Sequence, residues 1–333
     1  MIPLFLQKFN ILTIESYKAV FLDYISKSIK VKEPKNLYQP IDYILNLGGK
    51  RLRPILTLMS CDLFGENYKD ALNAALAVEM FHNFSLVHDD IMDNAPLRRG
   101  KKTVHEKWDI NTGILSGDAM MILAYQLFEN YEPNKFKSLA KLFSKTAIEV
   151  CEGQQYDVDF ETLNNVEISD YIKMISLKTA VLIASALKMG AIIADANIDD
   201  TQRIYDFGLN LGIAFQLQDD YLDVFGDEGF GKQQAGDIIE GKKTWLFLKT
   251  LEVANNEDKQ KLTHLYTNQR IGGNIKIKET ILLFEKYSIP KLIKREINFF
   301  TDKAFTACDN ISVDSSKKAN FINFGRSLMN RKV

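Results

Sequence analysis

Two short acidic runs carry the most chemistry in this chain. Asp89-Asp90-Ile91-Met92-Asp93 and Asp219-Asp220-Tyr221-Leu222-Asp223 share the spacing D-D-x-x-D and lie about 130 residues apart. On an α-helix Asp89 and Asp93 stand one above the other, as do Asp219 and Asp223, with the middle carboxylate beside them. Like charges at that spacing cost an isolated helix ~0.2–0.5 kcal/mol. A divalent cation reverses the penalty. Mg²⁺ favours a few carboxylates with waters and phosphate oxygens over an all-protein cage. A single run is as readily a solvated helix end. Two copies, each preceded by an apolar stretch (Phe84-Ser85-Leu86-Val87 and Phe215-Gln216-Leu217), argue for metal chemistry.

Basic residues follow in matching places. Arg98 and Arg99 come five and six residues after Asp93, and Lys50, Arg51 and Arg53 stand in a turn led by Gly48-Gly49. Lys178 sits inside an apolar helix, and Lys232, Lys242 and Lys243 line the glycine-rich stretch Gly226–Lys243. Lys101, Lys102 and Lys243 read as solvated surface. Arginine suits bidentate phosphate recognition, while lysine acts as a point charge. Many carboxylates beside many cations point to Mg²⁺-bridged phosphate. Six carboxylates and an assumed three Mg²⁺ cancel, which leaves a diphosphate for Lys and Arg to neutralise. A P-loop is rejected: Gly226 to Lys232 has the spacing, but Gln233 replaces Ser/Thr and no strand precedes it.

The elements that position these groups are helices. Seven prolines in 333 residues is low against an average near ~5%. In Ala71–Met92 the apolar residues Leu72, Leu76, Met80, Phe84, Val87 and Ile91 recur at three- and four-residue steps. The same period predicts helices over 111–129, 136–155, 168–194, 201–224, 244–253, 276–287 and 291–306. Leu47 to Arg53 reads as a turn feeding a helix whose first residues include Pro54, and Asn94–Thr103 reads as a loop. With no strand runs, flexible linker or repeat, residues 1–333 read as one all-α domain.

The composition sets limits. A formal charge of −1 excludes a general nucleic-acid binder, which needs a basic excess. Three widely spaced cysteines, Cys61, Cys151 and Cys308, form no disulfide framework or thiolate zinc site. The first 22 residues, broken by Lys8, Glu15 and Lys18, lack the form of a secretory signal. The best membrane-span candidate, 179–194, is interrupted by Lys188. The expectation is a cytoplasmic protein with no membrane span.

The ordered motifs resemble the trans-isoprenyl diphosphate synthases (polyprenyl synthetases). The matching text is Gly48-Gly49-Lys50-x-x-Arg53-Pro54, Glu79–His82 leading into Asp89-Asp90-x-x-Asp93, and Arg98-Arg99. It continues through Lys178-Thr179, Phe215-Gln216-x-x-Asp219-Asp220-x-x-Asp223, and Gly231-Lys232 to Gly241-Lys242. One departure is Ala235, where many members have glycine; it bears on the local conformation of that loop. The resemblance implies the isoprenoid synthase fold, an antiparallel helix bundle around a deep central cavity, working as a homodimer. It implies condensation of isopentenyl diphosphate with an allylic diphosphate. By similarity Asp89, Asp93 and Asp219 bind Mg²⁺ directly, three ions per site, with Asp90, Asp220 and Asp223 in support. Arg98, Lys178, Lys232 and Lys242 hold the allylic diphosphate. Lys50, Arg53, His82 and Arg99 hold isopentenyl diphosphate, and Thr179 and Gln216 face the reacting carbons. His88, His105 and His264 stay structural.

Chain length in this family is set beside the first acidic helix. One aromatic with a small neighbour, Phe84-Ser85, and no insertion in D-D-x-x-D resemble the subgroup making the twenty-carbon product. Phe81, one turn further down, is a second stop, so fifteen carbons is the alternative. A class I terpene cyclase fits less well, because the second motif is an intact D-D-x-x-D. A regulatory partner of an active synthase usually loses one acidic motif, and this chain keeps both. A helical scaffold leaves the ordered matches to coincidence.

Overall fold

Helix starts follow the capping residues. Thr13 accepts from the backbone of Ser16 at the head of α1 (Ile14–Ser28), and Asp109 caps α6 (Ile110–Phe128) through Thr112. A computed structural model describes residues 13–163, 165–226, 235–268 and 270–329. Its elements run α1, α2 (Lys35–Asn46), α3 (Leu52–Leu63), α4 (Leu72–Met92), β1 (Leu97–Arg98), β2 (Lys101–Lys102), α5 (Val104–Lys107), α6 and α7 (Pro133–Thr162). They continue as α8 (Ile168–Ile175), a π turn (Ser176–Ala180), α9 (Val181–Ile193), α10 (Ile198–Phe225), α11 (Gly236–Glu240) and α12 (Trp245–Val253). α13 (Asn256–Thr267), α14 (Gly273–Lys286), α15 (Ile289–Asp309) and α16 (Ser315–Met329) complete the chain.

Two units emerge, one up to Phe143 with Ala186–Asn197, the other Ser144–Ser185 with Ile198 onward. In the first, α4 packs on α3 and α6. Its N-terminal half, Ala74 to Phe81, is apolar except for Glu79 and is buried all round. The C-terminal half opens one side, and the first acidic motif sits at its end. In the second, α10 packs on α15 and on the π turn. Both motif-bearing helices are thus core helices whose apolar sequence holds their carboxylates in place.

Two details depart from the periodicity. The loop 94–103 contains a two-residue hairpin, Leu97 opposite Lys102 and Arg98 opposite Lys101. Arg99 (φ 52) and Gly100 (φ 73) both take the left-handed backbone such a tight turn requires. The predicted helix 168–194 is continuous, but a π turn at 176–180 widens it. Ile168–Ile193 is also long and apolar enough to cross a membrane, yet 67% of its apolar window is buried within the protein.

Candidate active site

In the first unit the acidic motif is already differentiated. The Asp90 carboxylate is buried and accepts three bonds from Arg98, two from Nε (2.9 and 2.8 Å) and one from Nη2 (2.6 Å). Asp89 Oδ2 lies 4.0 Å from the same Nη2, and Asp93 is exposed at the end of α4. The hairpin delivers this contact, because β1 carries Arg98 back over the helix end. Asp90 is therefore an anchor, while Asp89 and Asp93 sit half-buried and exposed beside it.

The same unit gathers a cationic cluster. Arg51, left-handed at φ 52, buries its guanidinium against the Glu79 carboxylate and the Leu45 carbonyl. It ties the glycine turn to α4 and is not turned to solvent. Arg53 Nη1 lies 3.3 Å from His82 Nε2. A guanidinium only donates, so Nε2 accepts and the imidazole proton sits on Nδ1. Arg99 donates to the Gly48 carbonyl. A Cβ on Gly49 would stand 2.9 Å from the Arg99 guanidinium, so glycine at 49 (φ +124) permits that approach. Lys50 is exposed on the same turn. Among the described residues neither Arg53 nor Arg99 has a carboxylate partner. Four of the predicted residues, Lys50, Arg53, His82 and Arg99, thus share a locality with surplus positive charge, which suits an anion.

Burial, then the charges of Arg53, Arg99, Arg98 and Arg51, hold the His82 imidazole well below its usual 6.5. The sign for stability follows. Below pH 6.5 the unfolded chain binds a proton at this position that the native protein refuses, so stability falls as pH falls. Denaturant titrations at pH 7.5 and 5.5 check this. Wild type is expected to lose about 1.4 kcal/mol more than His82→Asn over that interval; equal losses mean that His82 titrates normally.

Below the motif, aromatic rings stack along α4. Phe84, half-buried, contacts His88 (4.7 Å between centroids) and Phe81 (5.5 Å). Phe81 is fully buried against Phe143, which itself meets Tyr125 and Phe128. Ser85 Oγ donates back to the His82 carbonyl at 2.8 Å.

The second unit builds its part around the π turn. Lys178 and Thr179 lie in it, and two glycines accept the widened backbone. A Cβ on Gly153 of α7 would fall 2.2 Å from the Lys178 nitrogen, and one on Gly212 of α10 would fall 2.7 Å from the Ala180 Cα. Such turns recur at functional sites. Lys178 Nζ pairs with Asp157 at 2.5 Å. On α10, Asp219 is half-buried and Asp220 buried. The Asp220 carboxylate accepts from the Tyr171 hydroxyl and from Gln216 Nε2 (3.2 Å). Burial, then Asp237, push its carboxyl up to about 8 despite those two donors. A divalent cation, if bound at the neighbouring Asp219, would favour the charged form. Asp223 accepts from the Asp237 N–H (3.1 Å), and its carbonyl takes the Ala235 N–H (2.7 Å). Ala235 itself is left-handed, φ 56, which explains why glycine is common there. Lys242 is exposed and pairs with Glu240 at 2.8 Å. Lys232 lies outside the described residues.

These donors fit a hard cation. Asp89, Asp93 and Asp219 offer carboxylate oxygens of the kind Mg²⁺ takes, and Asp90, Asp220 and Asp223 accept hydrogen bonds from Arg98, Tyr171 and the Asp237 N–H. Among the described residues no group of three His, Cys, Asp or Glu forms a ready cage. Two partners escaped the motif reading, Asp157 on Lys178 and Tyr171 on Asp220, and Glu79, within the matching text, gained its role under Arg51 only from the structure. Their sequence signals are slight, an aspartate one turn after Gly153 and a tyrosine two turns before Lys178.

Comparison with known proteins agrees. The Polyprenyl synthetase family model matches residues 34–282, across both units. A geranylgeranyl diphosphate synthase of Saccharolobus solfataricus is 42% identical over 240 residues, covering 71% of this chain and 72% of that one. A crystal structure of a geranylgeranyl pyrophosphate synthase superposes with TM-score 0.92 at 50% identity, covering 97% of this chain and 100% of the other. The geranylgeranyl pyrophosphate synthetase of Pyrococcus horikoshii gives TM-score 0.89 at 33% identity, covering 96% and 97%. Other relatives are called short chain isoprenyl and geranylfarnesyl diphosphate synthases. Enzymes of this family join isopentenyl diphosphate to allylic diphosphates and depend on Mg²⁺. The chain belongs to the polyprenyl synthetase family, has its all-α isoprenoid synthase fold, and is a short-chain trans-prenyltransferase.

Proposed function

We propose that this enzyme makes the twenty-carbon geranylgeranyl diphosphate, within a single polyprenyl synthetase domain that spans both units. Phe84 carries the reading: one half-buried aromatic next to the small Ser85, upstream of an uninterrupted acidic motif. Phe81, buried directly against Phe84, supports the fifteen-carbon product as the second reading. The deciding experiment gives purified protein Mg²⁺, labelled isopentenyl diphosphate and, separately, the C5, C10 and C15 allylic diphosphates. Dephosphorylated products are then sized by chromatography. A C20 product is expected; accumulation of C15 moves the stop to Phe81. No condensation at all promotes the regulatory-partner reading.

In this reading Asp89, Asp93 and Asp219 would hold Mg²⁺, three ions, and these when bound would supply Lewis-acid stabilisation of the departing diphosphate. Arg98, Lys178, Lys232 and Lys242 neutralise that leaving group. Lys50, Arg53 and Arg99 bind the diphosphate of the second substrate, and neutral His82 adds its Nδ1–H without competing for charge. As the allylic C–O bond breaks, positive charge grows on carbon beside Thr179 and Gln216. The double bond of isopentenyl diphosphate attacks it, and the released diphosphate takes the proton, so no side-chain base is needed.

The working form is a homodimer in the cytoplasm. The outer face of α6 supports the dimer: Leu115 and Ile122, two turns apart, are 60% and 59% exposed, with Ile114 nearby. Leu115→Glu/Ile122→Glu is expected to halve the mass seen by light scattering. An unchanged mass excludes this face.

A further inference from the structure

Within the second unit, two hydrogen bonds join the π turn to the acidic motif, and a third reaches the motif from α8. Thr179 Oγ1 donates to Gln216 Oε1 (3.2 Å), and Gln216 Nε2 donates to Asp220 Oδ1 (3.2 Å). The Tyr171 hydroxyl, from α8, donates to Asp220 Oδ2. Tyr171 and Asp220 are buried, at 4% and 3% exposure, whereas Thr179 and Gln216 are half-buried. An amide has one accepting and one donating end, and a flip exchanges them. The Asp220 carboxylate takes the donating end, so the Gln216 carbonyl oxygen is turned to Thr179. A carboxylate held by one oxygen can still swing. Tyr171 holds the other oxygen.

We propose that Tyr171 is a positioning residue for prenyl transfer: through Asp220 it locks the Gln216 amide with its carbonyl oxygen presented beside Thr179. This rests on the reading that Gln216 and Thr179 face the reacting carbons. A carbonyl oxygen fixed there puts the negative end of a dipole where positive charge develops, without reorganisation at the moment of ionisation. A flipped amide presents its NH₂ group and opposes that charge. Losing the tyrosine hydroxyl therefore acts on rate and not on substrate binding.

Tyr171→Phe removes the hydroxyl alone. We expect kcat to fall at least tenfold, with KM for both diphosphates within twofold of wild type. In Tyr171→Phe/Gln216→Ala, kcat should equal that of Gln216→Ala, because the lock has nothing left to hold. A crystal structure of Tyr171→Phe grown well above pH 8, where Asp220 is a carboxylate without metal, should show Gln216 Nε2 released from Asp220 Oδ1, a bond that wild type keeps at the same pH. If Tyr171→Phe does not fold, Asp220→Asn serves in its place. The tyrosine then binds the asparagine carbonyl, and the asparagine NH₂ forces the Gln216 flip with no change in packing. A Tyr171→Phe enzyme with lowered Tm but unchanged kcat overturns the proposal, as does a double variant in which the two losses multiply. Gln216→Ala at wild-type rate overturns the site reading itself, and wild type that does not condense overturns the prenyltransferase activity.

Discussion

Asp89→Ala is expected to lower kcat/KM at least a thousandfold while leaving helix content and Tm near those of wild type. The two halves of that result have separate causes. Asp89 stands at the end of a helix, where the macrodipole is negative, one turn from Asp93. Its carboxylate is thus in an unfavourable place for folding, and Arg98, at 4.0 Å from it, is already held by Asp90. Removing Asp89 costs the fold little. In the proposed mechanism the carboxylate would hold Mg²⁺, which when bound would stabilise the leaving diphosphate. A thousandfold loss corresponds to about 4 kcal/mol of transition-state stabilisation, which is within the range a metal ligand commands. Steady-state kinetics with circular dichroism read both halves. Activity within tenfold of wild type contradicts the metal role, and a collapsed Tm shows a structural one.

Phe84→Ala is expected to shift the product from C20 to C25. The ring stands between the acidic motif and Phe81, and its removal opens space along α4 down to the next ring. Each added isoprene unit that enters apolar surroundings gains roughly 3–4 kcal/mol at ~0.8 kcal/mol per methylene. That gain drives a further cycle once space exists. Phe81, packed on Phe143 with Phe128 and Tyr125 behind it, then forms the next floor. The shift should therefore stop at one unit, and Phe81→Ala/Phe84→Ala should extend further. Phe84 is only half-buried, so the change costs less than the ~3–5 kcal/mol of a fully buried Phe→Ala. Product sizing decides: a Phe84→Ala enzyme that still ends at C20 places the stop elsewhere.

Much of this protein is legible in its sequence because the signals are local. Helical periodicity depends only on residues three and four apart, and it correctly anticipated α4, α6 and α10, with ends within a few residues. The D-D-x-x-D spacing likewise needs no partner to show two carboxylates on one face. Even the Ala235 departure could be noticed, although its meaning, a left-handed residue bonded to the Asp223 carbonyl, could not.

What the sequence left equal, tertiary structure made different. Six aspartates in two motifs of the same spacing became unequal in the fold, because Arg98 bonds Asp90, Tyr171 bonds Asp220 and the Asp237 N–H bonds Asp223. Arg51 and Arg53, two residues apart, separated into a buried partner of Glu79 and a donor to His82. Neither distinction follows from residue type. Both come from partners that the fold of each unit brings into buried surroundings, where an unpaired charge is costly and each polar atom must find a specific partner. The residue types and helical spacing determined that this chain can do diphosphate chemistry; the folded packing decided which carboxylate, which guanidinium and which imidazole tautomer are available to do it.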